Sequence, residues 1–93
     1  MARKLKLIKN ILAKKLVNGC RTRKYKIGIA ESCTGGLISS SIVSVPGSSD
    51  IFEFSLITYS NASKKKFLNV AKKTIDNFGA VSEEVVTEML QGL

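Results

Sequence analysis

The chain contains no histidine and no tryptophan. Without imidazole, Ser-His-Asp and Cys-His nucleophile systems are excluded within the chain, as is every zinc site that needs a histidine ligand. Two cysteines, Cys20 and Cys33, are too few for a disulfide scaffold and point to a reducing compartment. No apolar run approaches the roughly 18 residues of a membrane span, so no membrane partner is expected. No acid precedes Glu31. What is present is enough for one small domain of 93 residues. A domain of this size buries only about 60% of its unfolded surface, which leaves a modest core. Its 44% apolar content is normal for a globular protein and too high for intrinsic disorder.

Charge is unevenly spread. Residues 1–26 hold 10 of the 15 Lys and Arg residues and none of the 7 acids, so from residue 27 onward 5 cations face 7 anions. Four readings of the basic quarter compete. It is a solvated helix face, a phosphate or nucleic-acid patch, a membrane-surface helix, or a transit peptide. Stacking aromatics are nearly absent from residues 1–26, with Tyr25 alone, which argues against a nucleic-acid partner. Residues 1–24 lack the bulky aromatics of a membrane-surface helix, and residues 1–26 lack the serines of a transit peptide.

Leu5, Ile8, Leu12 and Leu16, with Ile11 beside them, recur at helical spacing and predict an amphipathic helix over about 4–18, with Asn18-Gly19 as its stop. Tyr25–Ala30 reads as a buried strand and Phe54–Tyr59 as a second one. Between them Leu37, Ile38, Ile42 and Val43 fit one helix face, ended by the turn Pro46–Ser49. Ser60 or Asn61 caps a short helix to about Leu68, a further helix spans roughly Lys72–Phe78, and Ser82 caps a last one with Glu83 and Glu84 in its first turn. Strands alternating with helices imply a parallel sheet covered on both faces.

The segment Glu31-Ser32-Cys33-Thr34-Gly35-Gly36 follows a predicted strand and is expected to open a helix. Unpaired N–H groups at such a start, cleared by Gly35 and Gly36, form a donor cradle for a phosphate or an oxyanion. Ser32, Thr34 and the Cys33 thiol stand at its mouth. The plainer reading is that the glycines serve a tight turn and that Ser32 or Thr34 is an N-cap. A nucleophilic serine without histidine needs Lys, Tyr or a carboxylate as its base. Ser32 and Tyr59 both lie just past predicted strand ends, where ligands of parallel sheets gather. Lys64 lies on the first turn of the following helix, and desolvation near other cations turns a lysine into a usable base. Lys65 and Lys66 read as a solvated face. Spacing alone leaves Cys33 open as an alternative nucleophile.

The strings AESCTGG (30–36), VPGSS (45–49), YSNASK (59–64) and GAVSEEV (79–85) resemble, in order and spacing, the successive signatures of the CinA C-terminal domain family, which includes nicotinamide mononucleotide amidases. The resemblance implies an α/β fold, a three-layer α/β/α domain with a mainly parallel sheet. It implies cytoplasmic hydrolysis of the carboxamide of nicotinamide mononucleotide to nicotinic acid mononucleotide and ammonia, with no metal and no organic cofactor. By the same resemblance Ser32 falls on the motif serine, and Tyr59 and Lys64 on residues assigned general acid/base work. Cys33, Thr34, Gly35 and Gly36, with Ser60 and Asn61, are then substrate-binding. Residues 1–93 would form one partial domain: the N-terminal helix, a strand–turn–helix site region over 25–66 and a helical end over 71–93. Family domains continue past this C-terminus, so the chain is expected to be truncated or split. A homo-oligomer or a complementary C-terminal half is its expected protein partner, and a small nucleotide its substrate. The alternative is an inactive remnant or a partner-dependent interaction module. A further departure from the family is the basic surplus of Arg21, Arg23, Lys24 and Lys26 before the first strand.

Overall fold

The computed structural model describes residues 2–93, in the order α1 (Ala2–Arg23), β1 (Ile27–Glu31), α2 (Leu37–Val43), a 3-10 turn (Ser48–Asp50), β2 (Phe52–Ile57), α3 (Asn61–Leu68), α4 (Lys72–Phe78) and α5 (Glu83–Gly92). The two strands pair in parallel as a two-stranded sheet. The chain divides into two compact units. The first comprises residues up to Gly28 with Gly36–Phe54, the second Ile29–Gly35 with Ser55–Leu93.

In the first unit α1 packs on α2. The buried face of α1 is Ala13, Val17 and Cys20, at i, i+4 and i+7, joined in this unit's core by Ile42, Val45 and Ile51. That face lies to one side of the predicted stripe, and Leu5, Ile8, Leu12 and Leu16 remain exposed. Nor does the helix stop at Asn18-Gly19. Burial of Val17 and Cys20 carries it through Gly19 to Arg23, at a cost of about 1 kcal/mol for an interior glycine. It closes instead on Lys24, at φ 59°. The Lys24 N–H donates to Arg21 O (3.2 Å) and the Tyr25 N–H to Cys20 O (2.9 Å), the paired bonds of a Schellman closure. Tyr25 is thereby held in the closure, and β1 begins two residues later than its apolar run suggests. β2 also begins and ends two residues earlier than expected, because the 3-10 turn after Gly47 delivers the chain to Phe52 already extended.

The basic surplus before β1 has a structural use. Arg21 Nε lies 3.2 Å from Asp50 Oδ2, and Lys26 Nζ donates to Asp50 O at 2.7 Å with Glu53 Oε1 3.7 Å away. These contacts tie the end of α1 and the start of β1 to the chain entering β2.

The second unit has its own core: Leu68 and Val70 after α3, Ile75 from α4, and Val85 and Met89 from α5, with Ala30, Leu56 and Ala80 packed against them. Its helices begin as the sequence predicts. Ser60 Oγ accepts from Ser63 N (3.0 Å) and Ser82 Oγ from Val85 N (3.2 Å), each satisfying one orphan donor of a first turn. α4 has alanine at its N-cap, which offers no acceptor. Glu88 of α5 supplies one, accepting from Ala71 N at 2.8 Å and from the Thr74 hydroxyl.

Candidate functional site

The residues singled out by sequence, Gly36 excepted, fall in the second unit, at the ends of the two strands. β1 ends at Glu31 and β2 at Ile57. The Thr58 N–H donates to Glu31 O at 2.9 Å, extending the strand pairing by one step. Ser32 directly follows one member of that pair and Tyr59 the other, so the chain leaves both strands from neighbouring points. Parallel pairing of the strands makes both departures carboxyl ends.

From Ser32 to Gly36 the chain is a bend and turn. The Gly35 N–H donates to Ser32 O at 3.0 Å, closing a tight turn. Gly35 and Gly36 have φ of 64° and 111°, the region that favours glycine. Two such residues in succession cannot enter a right-handed helix, so α2 starts only at Leu37, with Gly36 as its N-cap and no side-chain cap bond. The expectation that Ser32 or Thr34 caps the helix is therefore corrected: Ser32–Gly36 is a turn that leads into α2 through the Gly36 N-cap, with no side-chain cap. Gly36 belongs to the first unit, where its carbonyl accepts from Ser40 N at 2.9 Å.

Within the loop Ser32 is half-buried, while Cys33, Thr34 and Gly35 are exposed. Nothing lies within 4 Å of where a Gly35 Cβ would be, so glycine serves backbone conformation there and leaves the approach open. The Thr34 hydroxyl turns back and donates to Glu31 Oε1 at 2.6 Å. Glu31 is only 3% exposed. Sequence reasoning passed over this carboxylate, although it is the first acid of the chain and ends an otherwise apolar strand. Its hydrogen bond fixes the loop from inside.

Tyr59 is 70% exposed, so it is not a core tyrosine. Ser60 and Asn61 begin α3 and are exposed, with the Ser60 side chain used as the cap. Lys64 is the reverse of its neighbours. It is 1% exposed, with Nζ donating to Tyr59 O at 2.8 Å, whereas Lys65 and Lys66 are exposed as expected. Tyr59, Ser60 and Lys64 thus share one local framework, and Ser32 joins it through the Glu31–Thr58 bond. No hydrogen bond connects Ser32 to Lys64 among the described residues. Thr58 Oγ1 is buried and has no hydrogen-bond partner among them. Both thiols are free, Cys20 buried and Cys33 exposed. Among the described residues no group of three or more His, Cys, Asp and Glu is disposed to hold a metal ion, and no helix is long and apolar enough to cross a membrane.

A serine-bearing glycine turn and a segment with a buried lysine thus follow adjacent parallel strand ends. A model of the CinA C-terminal domain matches residues 9–93. The chain belongs to the CinA C-terminal domain family. It is similar to a CinA-like protein of Petrotoga mobilis, 58% identical over 67 residues, which are 72% of this chain and 17% of that protein. A CinA-like protein of Fervidobacterium nodosum is 57% identical over 68 residues, 73% of this chain and 17% of the relative. Among solved structures, the competence/damage inducible protein CihA of Agrobacterium tumefaciens superposes with a TM-score of 0.87 at 33% identity, over 90% of this chain and 51% of that one. The competence damage-inducible protein A (ComA) of Klebsiella pneumoniae also gives 0.87, at 27% identity, over 91% of this chain and 53% of its own. This CinA-family chain therefore spans less than a fifth of these curated relatives and about half of these solved neighbours. The mixed α/β fold with its parallel strand pair matches those neighbours over the half of each that the chain covers.

Proposed function

We propose that this chain carries the nucleophile-bearing part of an amidohydrolase site acting on nicotinamide mononucleotide. Ser32 attacks the carboxamide carbon, and its proton passes to Lys64 with Tyr59 as the relay. The tetrahedral oxyanion is held by the backbone N–H groups of Cys33 and Thr34, since that of Gly35 closes the turn onto Ser32 O. Collapse of the intermediate breaks the C–N bond, and the nitrogen leaves as ammonia after taking a proton from the lysine. Water then hydrolyses the acyl-serine ester, giving nicotinic acid mononucleotide and free Ser32. The hydrogen bond from Lys64 Nζ to Tyr59 O holds the lysine beside the tyrosine that relays the proton. Cys33, Thr34, Gly35, Gly36, Ser60 and Asn61 contact the nucleotide.

The observation that carries this reading is the Glu31–Thr58 hydrogen bond, because it brings the departures toward Ser32 and Tyr59 side by side. The test is ammonia release from nicotinamide mononucleotide by the full chain, alone and mixed with the remaining half of a CinA-family domain. Activity in either preparation that is lost in Ser32→Ala and Lys64→Met but kept in Cys33→Ala is the expected result. Loss in Cys33→Ala alone assigns the thiol and overturns the serine. Inertness of both preparations sinks the catalytic reading. The exposed aliphatic stripe on α1 favours a second reading, a partner-dependent interaction module without catalysis.

A further inference from the structure

The first unit holds an apolar surface that the catalytic reading does not use. Along α1, Leu5, Ile8, Leu12 and Leu16 are 62%, 44%, 60% and 43% exposed, and on α2 Leu37 and Ile38 are 51% and 48% exposed. These six side chains line one groove of about 410 Å³. We propose that the groove seats an amphipathic helix of another polypeptide, one whose aliphatic stripe is flanked by carboxylates.

The 5-8-12-16 spacing follows the three- and four-residue steps by which one helix presents a seam to another. The wall supplied by α2 makes the surface a two-helix cleft, which accepts a third helix; a flat bilayer would rest on a single convex stripe. α1 also lacks the aromatic residues that anchor interfacial helices. Charge selects among protein partners. α1 carries eight cations (Arg3, Lys4, Lys6, Lys9, Lys14, Lys15, Arg21 and Arg23) and no acid. Lys9 lines the groove itself. Lys4 is one turn before Ile8, and Lys15 one turn after Leu12. A second copy of α1 would set cation against cation across the seam, whereas glutamates flanking an incoming stripe would meet them favourably.

The test uses a fluorescein-labelled synthetic peptide of about 20 residues, long enough to form a helix. Leucines sit at three- and four-residue steps with flanking glutamates, and a twin peptide carries lysines at the flanks. Fluorescence anisotropy is measured against the full chain at about 0.05 M and about 0.5 M NaCl. The acidic peptide is expected to bind about ten-fold or more tightly than the basic one, and to weaken with salt. Leu12→Asp and Lys9→Glu, each checked for folding by circular dichroism, are expected to weaken it similarly. Equal binding of the two peptides, or no binding of the acidic one by the folded chain, overturns the proposal. So does flotation of the chain with phosphatidylserine vesicles that Leu12→Asp abolishes, which makes the groove a membrane seat. A concentration-dependent dimer in sedimentation that Leu12→Asp dissolves assigns the groove to a second copy and overturns it equally. None of these readouts depends on amidase activity.

Discussion

Lys64 is where packing and chemistry meet most closely. Its side chain fills space that an aliphatic residue would otherwise take, and its Nζ donates a hydrogen bond to the carbonyl of Tyr59. Lys65 and Lys66, with the same chemistry, are out in solvent. The difference is helical phase: Lys64 is four residues before the fully buried Leu68 and shares its face. Six residues earlier in the chain, Thr58 poses the opposite case, a buried hydroxyl without a partner. An unsatisfied buried polar atom costs about 1–3 kcal/mol, and valine has nearly the same shape without that atom. Thr58→Val is therefore expected to raise unfolding stability by about 1 kcal/mol in urea titration. A loss instead would mean that the hydroxyl has a partner which valine cannot replace. The serine, the tyrosine and the lysine were legible in the sequence because a glycine pair and a YSN-x-x-K string follow apolar runs. Glu31 was not, since its value lies in a bond to Thr34 that only the turn's geometry creates.

At the scale of elements, two helix ends carry most of the specific information. α4 starts on an alanine that cannot cap it, and Glu88 reaches over from α5 to do so. The Thr74 hydroxyl and then the Ala71 N–H hold the Glu88 carboxyl below its ordinary value. A depressed carboxylate contributes stability that is present above its unfolded-state pKa and lost as pH falls through the folded one. The melting temperature is expected to drop on acidification through that window. Glu88→Gln should be less stable at neutral pH and show a shallower drop; an unchanged slope would remove Glu88 from the account. The other end is that of α1. Lys24 occupies a left-handed closure that glycine would fill without strain, and Gly19 sits in a helix interior where a Cβ would meet nothing nearer than Arg23 Nη1 at 3.5 Å. Lys24→Gly and Gly19→Ala are each expected to stabilise by up to about 1 kcal/mol, read from thermal melts. The same pair explains what sequence reasoning missed. Asn-Gly is a strong stop signal locally, but it is overruled when Val17 and Cys20 on either side belong to a buried face. α3, α4 and α5 were legible almost to the residue because Ser60, Gly79 and Ser82 act through bonds three or four residues away. Strand ends were less so, because the turns that set them lie outside the apolar runs.

For the molecule as a whole, the deciding quantity is charge. A net +8 on 93 residues, with 10 cations before residue 27 and no acid among them, makes the N-terminal quarter repel itself. Among the described residues three ion pairs form, Arg21–Asp50 and Lys26–Glu53 with cations of that quarter and Lys72–Asp76 within α4. All three are exposed, and an exposed pair contributes about 0–1 kcal/mol and is itself screened by salt. Added salt therefore weakens a few small attractions and relieves a larger set of repulsions along α1, among them Arg3–Lys6 and Lys6–Lys9, each three residues apart. The sign should favour folding. Raising NaCl from about 0.01 M to about 0.15 M shortens the screening length from about 30 Å to about 8 Å, within the length of α1. For a chain of this size each kcal/mol gained shifts the melting midpoint by roughly 4–8 °C, so a rise of a few degrees is expected by circular dichroism. A fall with salt would show that the three pairs outweigh the repulsion.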